Sequence, residues 1–251
     1  MKPIYPPSST TIHGVPFPLV LSLVLAESSI ELVPNEMAGH SAILSWAHRK
    51  RKDPKRLILD QNYHHAAILR LGRLGIGRGR PDIAHVCLLL ALGSPLNMEG
   101  HLRCFVHTRD NMIIKVNSIT RLPRHTDRFV SLLEQLYEQS VIPSVGSTLL
   151  SLEQGDLAKI IKEQNGDIVM ALTTQGTMKR MSDVAQRLSE YKRPVLLIGG
   201  FPEGHFSKKT LQLTNETYRI DKRKLEAWTV VARATYDYER ATEPKPTVQK
   251  N

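Results

Sequence analysis

Arg80, Pro81 and Asp82 lie within residues 78–97, RGRPDIAHVCLLLALGSPLN, where side chains able to do chemistry adjoin an apolar helical run. Pro81 disfavours the α region for Arg80, while its own fixed φ suits the first position of a helix. A helix therefore starts near Asp82, whose carboxylate is favoured in the first turn by the helix dipole and the free backbone N–H groups. Only one residue separates Arg80 from Asp82, so the carboxylate can hold the guanidinium fork in one orientation. An oriented fork can grip a phosphate or the edge of a base. The plainer alternative is a helix-start carboxylate beside a solvated arginine, and these three residues leave both open.

Two further stretches carry chemistry. Residues 120–130, TRLPRHTDRFV, present Arg121, Arg124 and Arg128 with Asp127 as the one acid among them, a composition suited to phosphate contacts. Their offsets of three and seven would place them on one helical face, although Pro123 interrupts the first turn. Residues 199–206, GGFPEGHF, follow an expected strand with three glycines and a proline, where backbone can approach a small ligand beyond the carboxyl end of a sheet. By contrast, GRLGIGRGR at 72–80 is no dinucleotide fingerprint, because it follows a helical pattern and lacks the third glycine spacing. It reads as a flexible, arginine-studded loop. His64, His65 and His85 form no HExxH or comparable ligand set, which argues against a metal-dependent hydrolase.

The elements that must position these residues come from a chain of 251 residues, 41% hydrophobic, with 34 basic and 24 acidic side chains and a net charge of +10. That charge points to a polyanionic partner. It is concentrated: ten basic residues face two acids between His48 and Arg80, and six face two between residues 100 and 130. Cys87 and Cys104 lie in apolar runs and are expected to stay reduced. Residues 19–26, LVLSLVLA, lack the basic flank of a signal peptide and read as a buried strand too short to span a bilayer.

Residues 1–16 and 241–251 are expected to be disordered tails around a single domain at 17–240. Within it the pattern predicts strand 19–26, an extended piece at 27–33, helix 36–51, strand 57–59 and helix 62–71. A hairpin at 102–107 and 112–117 turns through Arg109, Asp110 and Asn111, and a helix capped by Thr126 or Asp127 runs to 139. Helices 156–164 and 181–191 then alternate with strands 168–173 and 195–198, followed by strand 211–213, loop 220–225 and helix 227–238. The expected fold is α/β, a mainly parallel sheet with helices on both faces and a hairpin and helix insertion.

Six motifs in order, LVLAESSIELVP, LDQNYHHAAI, RGRPDIAH with SPLN, TRLPR with RF, IGGFPEGHF and LEAWTVV, make the chain resemble the archaeal branch of the ribosome-biogenesis pseudouridine N(1)-specific methyltransferases, in the SPOUT superfamily. The resemblance implies a C-terminal deep trefoil knot and S-adenosylmethionine held by Leu172, Thr173, Gly199, Gly204, Ile220, Asp221, Lys222, Arg223, Lys224 and Leu225. It implies methylation of ring nitrogen 1 of a pseudouridine, with Arg80 held by Asp82 as the catalytic pair. Arg80, Arg121, Arg124 and Arg128 would contact small-subunit rRNA. A cytoplasmic homodimer follows by the same route, with ribosomal proteins of the small subunit as further partners and neither metal nor membrane. Glu203, His205 and Gly93 depart from the family pattern. The competing reading is a non-catalytic rRNA-binding assembly factor.

Overall fold

The computed structural model describes residues 19–243, so the expected tail at 1–16 and residues 244–251 lie outside the described residues. The unbroken apolar run near the start forms β1 (Leu21–Ser28), buried on both faces. Four helices follow before the next strand: α1 (Ser41–Lys50), α2 (Gln61–Arg70), α3 (Pro81–Leu92) and the short α4 (Pro95–Met98). The hairpin β2 (Leu102–Thr108) and β3 (Met112–Val116) leads to α5 (Thr126–Gln139), β4 (Val141–Ile142) and β5 (Leu150–Gln154). The remainder alternates as α6 (Leu157–Glu163), β6 (Ile168–Met178), α7 (Met181–Ser189), β7 (Pro194–Gly199), α8 (Lys208–Leu211), β8 (Glu216–Arg219) and α9 (Ala227–Thr242).

One sheet orders these strands β4-β5-β3-β2-β1-β7-β6-β8. β1 runs parallel to β2 and β7, and β6 runs parallel to β7 and β8. β3, β5 and β4 are added antiparallel beyond β2. Alternation along β1 separates two cores. Leu23 and Leu25 face a cluster shared with α3, α5, α7 and α9, whereas Val24 and Ala26 face one shared with Leu157 and Ile160 of α6. A third cluster joins α1 and α2 through Ile43, Ala47, Ala67 and Ile68.

Several boundaries differ from expectation. The apolar spacing of Leu211 and Leu213 suggested a strand, but Ser207 caps α8 through Thr210, so Leu211 closes that helix and Leu213 lies in the turn after it. β4, β5 and β8 were not foreseen. β6 continues past Thr173 to Met178 because Thr177 and Met178 pair with β8. Glu27 and Ser28 close β1, while residues 29–33 and 57–59 form no strand and meet in a single bridge, Leu32 to Ile58. α1 begins at Ser41 behind a His40 cap, five residues later than expected, and α9 continues to Thr242, into the stretch expected to be a tail.

Candidate functional site

Arg80 stands just before α3, where its N–H donates to Ser29 O at the end of β1 (3.1 Å) and Gly79 O accepts from Gln61 at the start of α2 (2.7 Å). Gly79 has φ +67°, and a Cβ there would lie 2.9 Å from Ile68 Cδ1, so glycine is required for this junction of three elements. With Arg80 extended and Pro81 opening α3, the guanidinium meets Asp82 through two bonds, Nε to Oδ1 and Nη2 to Oδ2, both 2.8 Å. The pair forms, which decides between the two readings the spacing left open. Bonding to Asp82 raises the Arg80 pKa further, and Glu226 and Asp60 act in the same direction. Asp60 lies behind the pair, 2% exposed, and burial pushes its carboxyl above the usual range. Arg78, expected to stud a free loop, is instead locked by Glu31 in a second bidentate pair.

One turn along α3, His85 supplies structure rather than ligation. Its Nε2–H donates to Pro123 O at 2.6 Å, its Nδ1 lies 3.3 Å from Thr126 Oγ1, and its ring stacks on Phe129 at 4.5 Å. Burial lowers its pKa, which keeps the ring neutral. These contacts fix the arginine segment beside the Arg80–Asp82 pair. Because His125 caps α5 and the carbonyl of Pro123 is engaged, Arg121 and Arg124 precede the helix, and the single helical face of three arginines does not form. All three side chains are exposed, while Asp127 is tied to Tyr63 Oη at 2.9 Å.

A cleft opens beyond the carboxyl ends of β6, β7 and β8. It is walled by Leu172, Thr173, Ile198, Gly199, Tyr218 and Arg219, by the loops at 201–206 and 220–226, and by the first turns of α9 and α3 through Ala227, Val230 and Ile83. Of the ten residues that the resemblance assigned to the cofactor, nine line this cleft and Lys222 does not. Three sets of bonds shape the loop before α9: Arg219 Nε to Asp221 O (2.9 Å), Arg223 N and Nε to Asp221 Oδ1 (3.0 and 3.1 Å), and Lys224 Nζ to Pro202 O (2.7 Å). The adjoining Arg223 holds the Asp221 carboxyl well below the usual range. Phe201 and Phe206, edge to face at 5.6 Å, close one side. Phe201, Phe206 and Glu226 were not singled out, although GGFPEGHF and LEAWTVV contain them, and His205 was named only as a departure from the family pattern.

The cleft and the pair are neighbours, since Ile83 lies one residue past Asp82 and Glu226 is felt by Arg80. Such an arrangement can seat a ligand with an apolar ring against Leu172, Ile198, Ile220 and Leu225, with a cationic centre near Asp221 or Glu226, and present a second reactant to Arg80. Among the described residues no group of three or more His, Cys, Asp or Glu is placed to hold a metal.

A sequence model described as EMG1/NEP1 methyltransferase matches residues 23–239. The ribosomal RNA small subunit methyltransferase Nep1 of Pyrococcus furiosus is 42% identical over 219 residues, spanning 87% of this chain and 96% of that protein. The protein of that name from Thermococcus kodakarensis is 40% identical over 222 residues, spanning 88% and 99%. Among solved structures, Archaeoglobus fulgidus Nep1 bound to S-adenosylhomocysteine matches with a TM-score of 0.78 at 33% identity, covering 88% of this chain and 98% of that one.

Proposed function

The chain belongs to the EMG1/NEP1 methyltransferase family, and from that premise we propose that it transfers the methyl group of S-adenosylmethionine to ring nitrogen 1 of a pseudouridine in small-subunit rRNA. The observation that carries the reading is the placement of the Arg80–Asp82 pair at the edge of a cleft built from nine of the ten cofactor residues named above. The lining chemistry fits the cofactor: aliphatic walls suit a purine face, and Asp221 and Glu226 suit a cationic sulfur.

When bound, the cofactor supplies a methyl group on a positively charged sulfur. The protein must then extrude the target base, bring its ring nitrogen in line and stabilise the charge that appears as the N1 proton leaves to water. Arg80 performs the last two tasks: its fork, held by Asp82, faces the polar edge of the base and meets developing negative charge on the ring carbonyls. The methyl–sulfur bond breaks as the methyl–nitrogen bond forms. Arg121, Arg124 and Arg128 hold flanking phosphates. Pseudouridine is the substrate because its ring joins the sugar through carbon, leaving N1 with a proton to lose, whereas N1 of uridine carries the sugar. Methyl transfer to a pseudouridine-containing rRNA hairpin and none to its uridine counterpart is the expected result; folded protein that binds neither cofactor nor its product would favour the assembly-factor reading.

The trefoil knot belongs to the same proposal, supported by the crossing order β7-β6-β8 and by α9 lying against α3 and α7. Pulling the termini of single molecules apart should leave a contour shorter than the full chain by the length held in the knot; a full-length contour contradicts it. A homodimer is supported by exposed apolar side chains on adjoining helices, Leu90 (41%), Met98 (75%) and Tyr236 (61%). Sedimentation equilibrium should give twice the 28.3 kDa chain mass, and a monomer mass would overturn it. A cytoplasmic site of action and contact with small-subunit ribosomal proteins complete the proposal, to be checked by recovery of those proteins with the tagged chain from cell extract.

A further inference from the structure

The basic run at the end of α1 was read in the sequence as charge alone, yet the fold places it against the arginine segment. Lys50 Nζ donates to Ser131 Oγ on α5 (3.0 Å), and Ser131 lies within one turn of Arg128. Lys52 reaches the almost fully buried Glu134 at 2.9 Å. Trp46 of α1 stacks on Tyr63 of α2 with centroids 3.6 Å apart, and Tyr63 in turn donates to Asp127. α1, α2 and the first turns of α5 therefore form one surface.

A line of contacts orders that surface. From the cleft it passes through Ile83 and Arg80 to His85, from His85 to Pro123, past Arg124 and Arg128 to Ser131, and on to Lys50 and its neighbours Arg49 and Arg51. Each acid along it is already engaged: Asp82 by Arg80, Asp127 by Tyr63, Glu134 by Lys52, and Asp53 by the N–H of Lys55. Among the described residues Arg49, Arg51, Lys55, Arg124 and Arg128 form no ion pair with a carboxylate, and all five are exposed. The aromatic partners are occupied as well, because Trp46 has Tyr63 on one face and Arg49 and Lys50 within 5.4 Å of its ring. The surface offers a row of exposed positive charges beside a tryptophan ring that is already covered, and that chemistry favours a sugar-phosphate backbone over bases.

We propose that Arg49, Arg51 and Lys55 extend the arginine segment into a phosphate-binding track for the RNA stem flanking the target loop. The proposal rests on the rRNA reading above and specifies how much RNA the site requires. A short unpaired oligonucleotide bound at Arg80 and the arginine segment does not reach these residues; a stem-loop does.

The test compares the full chain with a triple variant, Arg49→Gln, Arg51→Asn and Lys55→Gln, binding either a pseudouridine stem-loop or the unpaired loop sequence alone across a salt series. Asparagine is chosen at Arg51 because that residue has φ +53°, and glutamine at Arg49 keeps a side chain over Trp46. The expected result is a stem-loop dissociation constant raised about 10- to 100-fold, with the slope of log K against log salt reduced by about 2 to 3. The unpaired RNA and S-adenosylhomocysteine should bind as before. Equal weakening on both RNAs would reduce the track to general attraction, and an unchanged stem-loop affinity would remove it. Wild-type protein that binds the stem-loop steeply but transfers no methyl would sink the enzyme reading and leave the track standing.

Discussion

Replacing Arg80 by alanine should lower kcat/KM on the pseudouridine hairpin by about 100- to 1,000-fold, the loss typical of removing one preorganised donor to developing charge. S-adenosylhomocysteine should bind with unchanged affinity, since none of the lining residues changes. The fold should also survive, because Arg80 is anchored by its backbone N–H to Ser29 O rather than by its side chain. Arg80→Lys restores charge without the planar fork and should recover only a small part of the rate. Asp82→Asn keeps a polar helix-start residue but loses the second guanidinium bond, so its loss should be smaller and fall mainly on kcat. Full activity in Arg80→Ala would mean that the charge at this edge of the cleft does nothing for the transfer step.

Gly176→Ala should damage both cofactor binding and stability. A Cβ at this position of β6 would lie 2.6 Å from both the N and the C of Tyr218 in β8, and no flexible side chain can yield there. The two strands must separate. Since Tyr218 and Arg219 wall the cleft and Arg219 bonds to the carbonyl of Asp221, separation displaces the loop before α9. The expected outcome is S-adenosylhomocysteine affinity reduced at least about tenfold, with a loss of about 1–3 kcal/mol of stability from the forced overpacking. Unaltered binding and melting temperature would show that β8 does not set the shape of the cleft.

The parts of this molecule legible in the sequence were those specified by neighbours in the chain. Pro81 and Asp82 announced where α3 starts, and the single-residue spacing allowed the ion pair with Arg80 without deciding it. The unbroken apolar runs announced β1 and β7. What stayed hidden depends on partners far away. Arg78 looked like a solvated loop charge because Glu31, which binds it, is 47 residues distant. His85 belonged to no ligand set in the sequence, and its structural role emerged only from Pro123, 38 residues on, whose carbonyl accepts its Nε2–H. β8 escaped because Glu216, Thr217, Tyr218 and Arg219 have no apolar alternation: it is an edge strand, and its register comes from β6. The apolar doublet Leu211 and Leu213 misled in the opposite sense, since a serine cap four residues earlier outweighed the period of two.

The candidate site divides in the same way. The glycine loop and the segment before α9 came from the resemblance, which each carries as one contiguous motif, and together they supply seven of the cleft residues named for the cofactor. Lys222, named with its neighbours through the resemblance, is absent from the lining, while Glu226, one residue past the assigned loop, belongs to it. The closeness of this cleft to Arg80 was not readable at all. It follows from β1 and β7 pairing side by side, which brings Ser29 and Gly200 within a 2.9 Å hydrogen bond and sets α3 beside the cleft.

The most direct test of the account is to follow backbone amide resonances while S-adenosylhomocysteine is added to the folded protein. The cleft assignment predicts saturable shifts at Thr173, Gly204, Asp221 and Leu225, with smaller ones at Ile83 and Arg80. A neighbouring polar hollow lined by Glu27, His107, Asp156 and Lys209 shares only Phe201 and His205 with the cleft. Shifts confined to that hollow, with Thr173 and Leu225 unmoved, would contradict the assignment and detach the Arg80–Asp82 pair from the methyl donor.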